Sequence, residues 1–250
     1  MGWLLMVYLL GACTPAESPT ATRKPPGDVV LRELRPGIWL HASLYIYPSG
    51  STFPSNGLIV REGDGLLLID TSWGELATVE LLRQIDETIG LPIRRAVITH
   101  FHYDRLAGVD HLESLGIEVW THPDTPGLSI ALGTPVPDRT LETLVDPGDS
   151  VQLGSVEVLY PGPGHTDDNL MVWIPDQRVL FGGCAVRPGA TGSLGNTADA
   201  DLDHWPEAIR IAKDRYPEAE IVIPSHGPPA GPELLDHTIS LLADRKPDLF

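Results

Sequence analysis

A chain of 250 residues with 42% hydrophobic and 20% charged content holds enough apolar material for one large layered domain with a substantial core. Its formal charge of −17, with no lysine- or arginine-rich run, excludes a nucleic-acid partner, whose phosphates the chain would repel.

Residues 1–12 carry no charge and are apolar from 3 to 10, too short to cross a bilayer as a helix but suited to a signal peptide. They are set aside from the fold. Leu10-Gly11-Ala12-Cys13 resembles a bacterial lipobox, which implies that Cys13 becomes the lipid-modified first residue of an exported protein. Thr14 follows rather than Asp, so the resemblance implies the periplasmic side of the outer membrane. An ordinary cleaved signal with an incidental cysteine is the alternative. Residues 13–27, rich in Pro, Thr and Ser, read as a flexible tether, and residues 28–250 as a single domain.

Residues 38–47, 57–61 and 66–70 read as successive strands, the last two joined by the turn-like Glu62-Gly63-Asp64-Gly65. Ser72-Trp73-Gly74-Glu75 looks like a capping box, followed by Leu76, Val79, Leu82, Ile85 and Ile89 at helical spacing and stopped by Gly90 and Pro92. A strand through residues 96–99 leads to a helix over about 105–115. Strands follow at 155–160, 170–174, 179–181 and 220–223, with helices at 204–215 and 232–245. Strands then helices, twice over, predict an α/β fold, a four-layer αβ/βα sandwich of two similar halves.

The stretch His100-Phe101-His102-Tyr103-Asp104-Arg105 places two imidazoles and a carboxylate in five positions at the end of a strand. That spacing suits metal ligation, with His100 and His102 on one ion and Asp104 turned toward a second. Three later segments each release a donor at a glycine-rich bend: Gly164-His165-Thr166, Gly182-Gly183-Cys184 and Ser225-His226-Gly227. Three neutral histidines, His100, His102 and His165, would make a zinc centre with an open fourth position. Asp104, Cys184 and His226 would make a softer centre beside it. The cysteine count agrees: if Cys13 is lipidated, Cys184 has no disulfide partner, and a metal would occupy its thiolate.

On these residues the chain resembles the metallo-β-lactamases, specifically the dizinc subclass whose second metal is held by Asp, Cys and His. The resemblance runs from about residue 30 to the C-terminus. It includes the hexapeptide, His165 with Asp168-Asn169 following, Gly-Gly-Cys184, Leu194-Gly195-Asn196 and Pro-Ser-His226-Gly. Glyoxalase-type thioesterases of the wider superfamily carry a second His after the Asp and a bridging Asp in place of the Cys. Arg105 and Cys184 stand at those positions here, and both departures favour the lactamase reading.

The resemblance implies two Zn2+ ions and hydrolysis of penicillins, cephalosporins and carbapenems by a metal-activated hydroxide, which would confer β-lactam resistance. It also implies poor turnover of monobactams. Asp104 is a metal ligand first, and Asn196 would stabilise the oxyanion. Arg187 would pair with the substrate carboxylate, although a solvated surface arginine is the usual case. Tyr47 to Pro54 resembles a mobile hairpin over the substrate. Phe53 at its tip and Trp73 opposite would give apolar contact, with a core role the alternative for Trp73. Asp70 and Arg105 would brace the metal loop. His41, His111, His122, His204 and His237 read as structural or surface residues. The expected partner is a small-molecule β-lactam and the expected state a monomer. Hydrolysis of another ester, thioester or lactone, and non-catalytic zinc binding by a lipoprotein, are the competing functions.

Overall fold

Strand alternation sets the layering of this protein, for which a computed structural model describes residues 29–245. The expected signal peptide, tether and lipidated Cys13 lie outside the described residues. One sheet runs in chain order through β1 (Val29–Arg35), β2 (Ile38–Ile46), β3 (Thr52–Glu62), β4 (Gly65–Ile69), β5 (Ile93–Val97), β6 (Glu118–Thr121) and β7 (Arg139–Thr140). The second holds β8 (Ser150–Leu153), β9 (Val156–Leu159), β10 (Met171–Ile174), β11 (Val179–Gly183) and β12 (Ile221–Pro224), also side by side in that order. Strands β1 to β4 form an antiparallel meander and β4 to β7 are parallel, while β11 and β12 are the parallel pair of the second sheet.

Because successive side chains point to opposite faces, each central strand feeds two cores. In β4, Leu67 and Ile69 face the second sheet while Leu66 and Leu68 face helices. In β10, Val172 and Ile174 fill the space between the sheets, while Met171 and Trp173 face outward. Helices α1 (Glu75–Thr88), α2 (Tyr103–Leu106) and α3 (Val109–Ser114) cover the first sheet. Helices α5 (Trp205–Arg215) and α6 (Glu233–Ala243) cover the second, and the short α4 (Thr125–Leu132) follows β6. The result is the four-layered mixed α/β architecture expected.

Several local expectations need correction. Ser72 does not cap α1, whose first residue follows Gly74 without a side-chain cap. Thr78 closes this end instead, accepting from the Ser72 amide at 3.3 Å and donating to the Gly74 carbonyl at 3.1 Å. The buried face of α1 is Ala77, Thr78, Leu81 and Ile85, whereas Leu76 and Val79 are exposed. Small residues there seat the helix close to its neighbours, which apolar periodicity does not register. The helix expected at 105–115 is two short helices, because Thr71 donates twice to the Arg105 carbonyl, from its amide at 2.8 Å and its hydroxyl at 2.7 Å. That carbonyl is the acceptor a continuous helix would use at Val109. Phe53 lies on β3 opposite Tyr45, not at the hairpin tip, which turns through Tyr47 to Ser51.

Candidate active site

The parallel strands β5, β11 and β12 end on one rim of the sandwich, and their carboxyl ends deliver the donors, the usual ligand position in α/β sheets. His100, His102 and Asp104 follow β5, Cys184 follows β11, His226 follows β12, and His165 lies on the loop between β9 and β10. Backbone bonds sew the two halves together at this rim. Leu170 N donates to Thr99 O at 2.7 Å, Asn56 N to Ser225 O at 2.7 Å, and the Asn56 amide side chain to Pro224 O and Gly227 O at 2.9 and 2.6 Å. Gly183, at φ 61°, supplies the left-handed turn that carries Cys184 into the cluster.

All six predicted donors meet. His102 Nδ1 lies 3.2 Å from both His100 Nε2 and His165 Nε2. Cys184 Sγ is 3.3 Å from His226 Nε2 and 3.7 Å from Asp104 Oδ2, and those last two atoms are 3.4 Å apart. His100 also stands within 4.8 Å of Asp104 and Cys184, so the two clusters adjoin. Tautomers follow from the outward partners. His226 Nδ1 donates to Pro54 O at 2.8 Å and His102 Nε2 to Asp199 Oδ2 at 3.0 Å, leaving lone pairs on the inward nitrogens.

Lone pairs converging at such distances repel unless a cation sits among them. Tetrahedral zinc with bonds of about 2.0–2.1 Å to nitrogen and oxygen and about 2.3 Å to sulfur gives ligand–ligand edges of roughly 3.3–3.6 Å. The observed separations lie close to these edges, so the residues fit a pair of metal ions. The electrostatics agree. Burial, then the neighbouring imidazoles of His102 and His165, hold His100 well below the ordinary histidine range. Burial likewise brings His226 down to about 4, so both are neutral ligands at neutral pH. Burial, the largest single influence, would raise Asp104, but the adjoining Arg105 guanidinium together with the His226 and His102 imidazoles outweighs it and brings the carboxyl to about 2.

Arg105 is fully buried. Its Nε donates to Asp104 Oδ2 at 2.8 Å and its Nη1 to Asn56 O at 2.7 Å and Asp70 Oδ2 at 3.2 Å, while Ser55 Oγ takes a further bond. Asp70 in turn accepts from the Thr99 amide at 2.7 Å and the Thr99 hydroxyl at 2.9 Å. Asp70 and Arg105 thus join Thr99 and Asp104 in one buried hydrogen-bonded network.

A groove of about 490 Å³ opens over the donors, lined by Tyr47, Phe53, Trp73, Tyr103, Arg187 and Asn196. Phe53 packs on His226 with ring centroids 4.5 Å apart, and Trp73 packs on Tyr45 at 5.1 Å, so Trp73 is a groove wall rather than core. Arg187 is buried rather than solvated, with its Nε on Ser193 O at 3.2 Å and its backbone amide on Thr238 Oγ1 at 2.9 Å. Burial lowers its pKa. Asn196 is exposed, and Ala198 N donates to its Oδ1 at 3.2 Å, so the amide nitrogen is the end turned from that bond. A wider recess of about 1410 Å³ beside the groove includes in its lining Asp201, paired with His204, and Asp203, paired with Arg245 of the same lining.

Asp199 escaped the sequence reading, its one signal being the Ala-Asp run after Asn196. Asn56, which ties β3 to the His226 loop, gave no signal beyond its place in a Ser-Asn-Gly turn sequence.

Residues 50–226 match the sequence profile of the Metallo-beta-lactamase superfamily. The chain belongs to that superfamily. It is 35% identical over 218 residues to the metallo-beta-lactamase type 2 of Bacillus cereus, covering 86% of this chain and 83% of the relative. Among solved structures it is similar to a metallo-beta-lactamase from Hirschia baltica (TM-score 0.83, 37% identity, 86% and 97% covered). It is also similar to the metallo-beta-lactamase FIM-1 from Pseudomonas aeruginosa in its mono-zinc form (TM-score 0.84, 38% identity, 88% and 97% covered). In this metallo-beta-lactamase superfamily member the donor groups His100, His102 and His165, and His100, Asp104 and Cys184, are ones that could hold a metal ion.

Proposed function

We propose that this protein is a zinc-dependent β-lactamase that opens the lactam amide with two ions held by His100, His102 and His165 and by Asp104, Cys184 and His226. The observation that carries this reading is the meeting of those six donors beneath a groove that also presents Arg187 and Asn196. When bound, zinc supplies Lewis acidity toward the lactam carbonyl and brings the acidity of water into the neutral range.

The chain's own residues divide the remaining work. Arg187 pairs with the carboxylate that most β-lactams carry, and its burial keeps that pairing out of competition with water. The Asn196 amide nitrogen donates to the carbonyl oxygen as negative charge develops there. Asp104, held ionised by Arg105, stays an acceptor at neutral pH and is a ligand before it is a proton carrier. Phe53 and Trp73 cover apolar substituents and exclude water from the reacting bond. The apolar contacts at Phe53 and Trp73 select no single side group and the Arg187 contact suits any lactam carboxylate, which supports a scope of penicillins, cephalosporins and carbapenems. Export and lipid attachment at Cys13, placing the enzyme in the periplasm of a bacterium, belong to the same proposal and rest on the sequence of residues 1–13.

Purified protein supplied with Zn2+ is expected to hydrolyse a chromogenic cephalosporin and to lose that activity in a chelator. Turnover of a thioester or lactone with no turnover of any lactam would overturn the assignment. Mass spectrometry of the mature N-terminus tests the acylation of Cys13.

A further inference from the structure

We infer that His41, seated against Gly57, is a positioning residue for both metal clusters, acting through the backbone kink at Asp70; this rests on the metal reading above. His41 lies within β2 and is fully buried, far from any donor in sequence. Its Nε2 is 3.2 Å from Asp70 O and 3.4 Å from Ile69 O. Carbonyl oxygens only accept, so Nε2 carries the proton and donates to the turn that ends β4.

Reaching β4 from β2 requires the imidazole to cross the intervening strand, and β3 offers Gly57 directly opposite His41. A Cβ at position 57 would lie 2.2 Å from His41 Nε2 and 2.5 Å from Ile69 O. Gly57 is therefore needed for space, not for backbone freedom. Burial keeps the imidazole neutral, with a pKa of about 4, so it is a donor without charge at neutral pH.

The turn it supports is strained. Asp70 sits at φ 61°, and among the described residues Arg178 is the other non-glycine with positive φ. From that kink the Asp70 carboxylate reaches the chain neighbours of two donors at once, Thr99 beside His100 and Arg105 beside Asp104. Thr99, which precedes His100, donates to it twice, and Arg105, which holds Asp104, donates a third bond. One carboxylate thus aims a ligand of each cluster, and the hydrogen bonds from His41 hold the backbone that aims the carboxylate. Strain of this kind persists where surrounding contacts over-determine it.

The test compares His41→Asn with His41→Gln by Co2+ titration of metal-free protein, following the thiolate charge-transfer band of Cys184 and the ligand-field bands of the imidazole cluster. Asn cannot extend a donor to the position of Nε2, whereas Gln can. H41N is expected to bind Co2+ about tenfold or more weakly at both clusters, the scale for loss of an outer hydrogen-bond partner. With Zn2+, its kcat should fall while KM for a carboxylate-bearing cephalosporin is retained, because Arg187 is untouched. H41Q should keep wild-type affinity and spectrum. Wild-type metal binding in H41N, or H41Q as weak as H41N, would overturn the inference. Should H41N fail to fold, H41Q decides alone: retained affinity supports the inference and lost affinity overturns it. Failure of the wild-type protein to take up Co2+ would instead overturn the metal reading, and this inference with it.

Discussion

Around Asp104, Cys184 and His226 the donors are tied into buried protein, by Arg105 on one side and the Pro54 carbonyl on the other. Around His102 and His165 the ties are looser. The His102 bond to Asp199 faces solvent, and His165 Nδ1 is buried without a hydrogen-bond partner among the described residues. The mixed cluster is organised by one buried cation shared between two carboxylates, whereas in the imidazole cluster only His100 is braced by that network, through Thr99 and Asp70, and His102 and His165 rest on packing and a half-exposed acid. Perturbing the buried network should therefore couple metal binding to folding, while perturbing the His102–Asp199 contact should touch metal binding alone.

The largest effect should come from the donors themselves. Cys184→Ser removes the thiolate, and loss of the second metal with near-complete loss of hydrolysis is expected by metal analysis and steady-state assay, with the fold intact by circular dichroism. Next is Arg105→Leu, which strands Asp70 and Asp104 as buried unpaired charges. Denaturant unfolding of the metal-free protein should show a loss of about 3–5 kcal/mol. A stable variant with weakened metal binding alone would break the contrast between the two clusters.

Acid should act on the same buried side through His41, which faces Asp70 and Arg105. Its folded pKa of about 4 lies below the ordinary value of 6.5, so only the unfolded chain takes up a proton between them. The contribution to stability is complete above about pH 6.5 and is lost as the pH falls toward 4, about 3 kcal/mol in all. H41Q should lack this component in a pH series of unfolding curves on metal-free protein.

Smaller effects sharpen the other side. Arg187→Gln should raise KM for carboxylate-bearing β-lactams about tenfold with kcat little changed, the signature of lost substrate binding. Asp199→Asn should weaken the imidazole cluster about tenfold and leave unfolding of the metal-free protein unchanged. Parallel loss of stability in Asp199→Asn would erase the distinction drawn between the clusters.

What sequence spacing could reveal was the chemistry of the donors, because His-x-His-x-Asp and three glycine-flanked His or Cys residues advertise ligation in one dimension. Strand alternation likewise exposed the layering, since a residue's face follows from its parity along a strand. Helix boundaries near the site were less legible. The break after Arg105 arises from Thr71, 34 positions away in sequence, and the capping of α1 from Thr78 rather than from the expected Ser72. Such long-range hydrogen bonds leave no periodic trace.

By itself the sequence determined which atoms could bind a metal and which faces would be apolar, because both depend on residue type and near-neighbour spacing. Tertiary structure decided that six donors from four loops share one rim, that Arg187 is buried rather than solvated, and that His41 lies under Asp70. Those outcomes depend on the pairing of strands distant in the chain, and the register of β2 against β3 against β4 exists only once the sheet has closed.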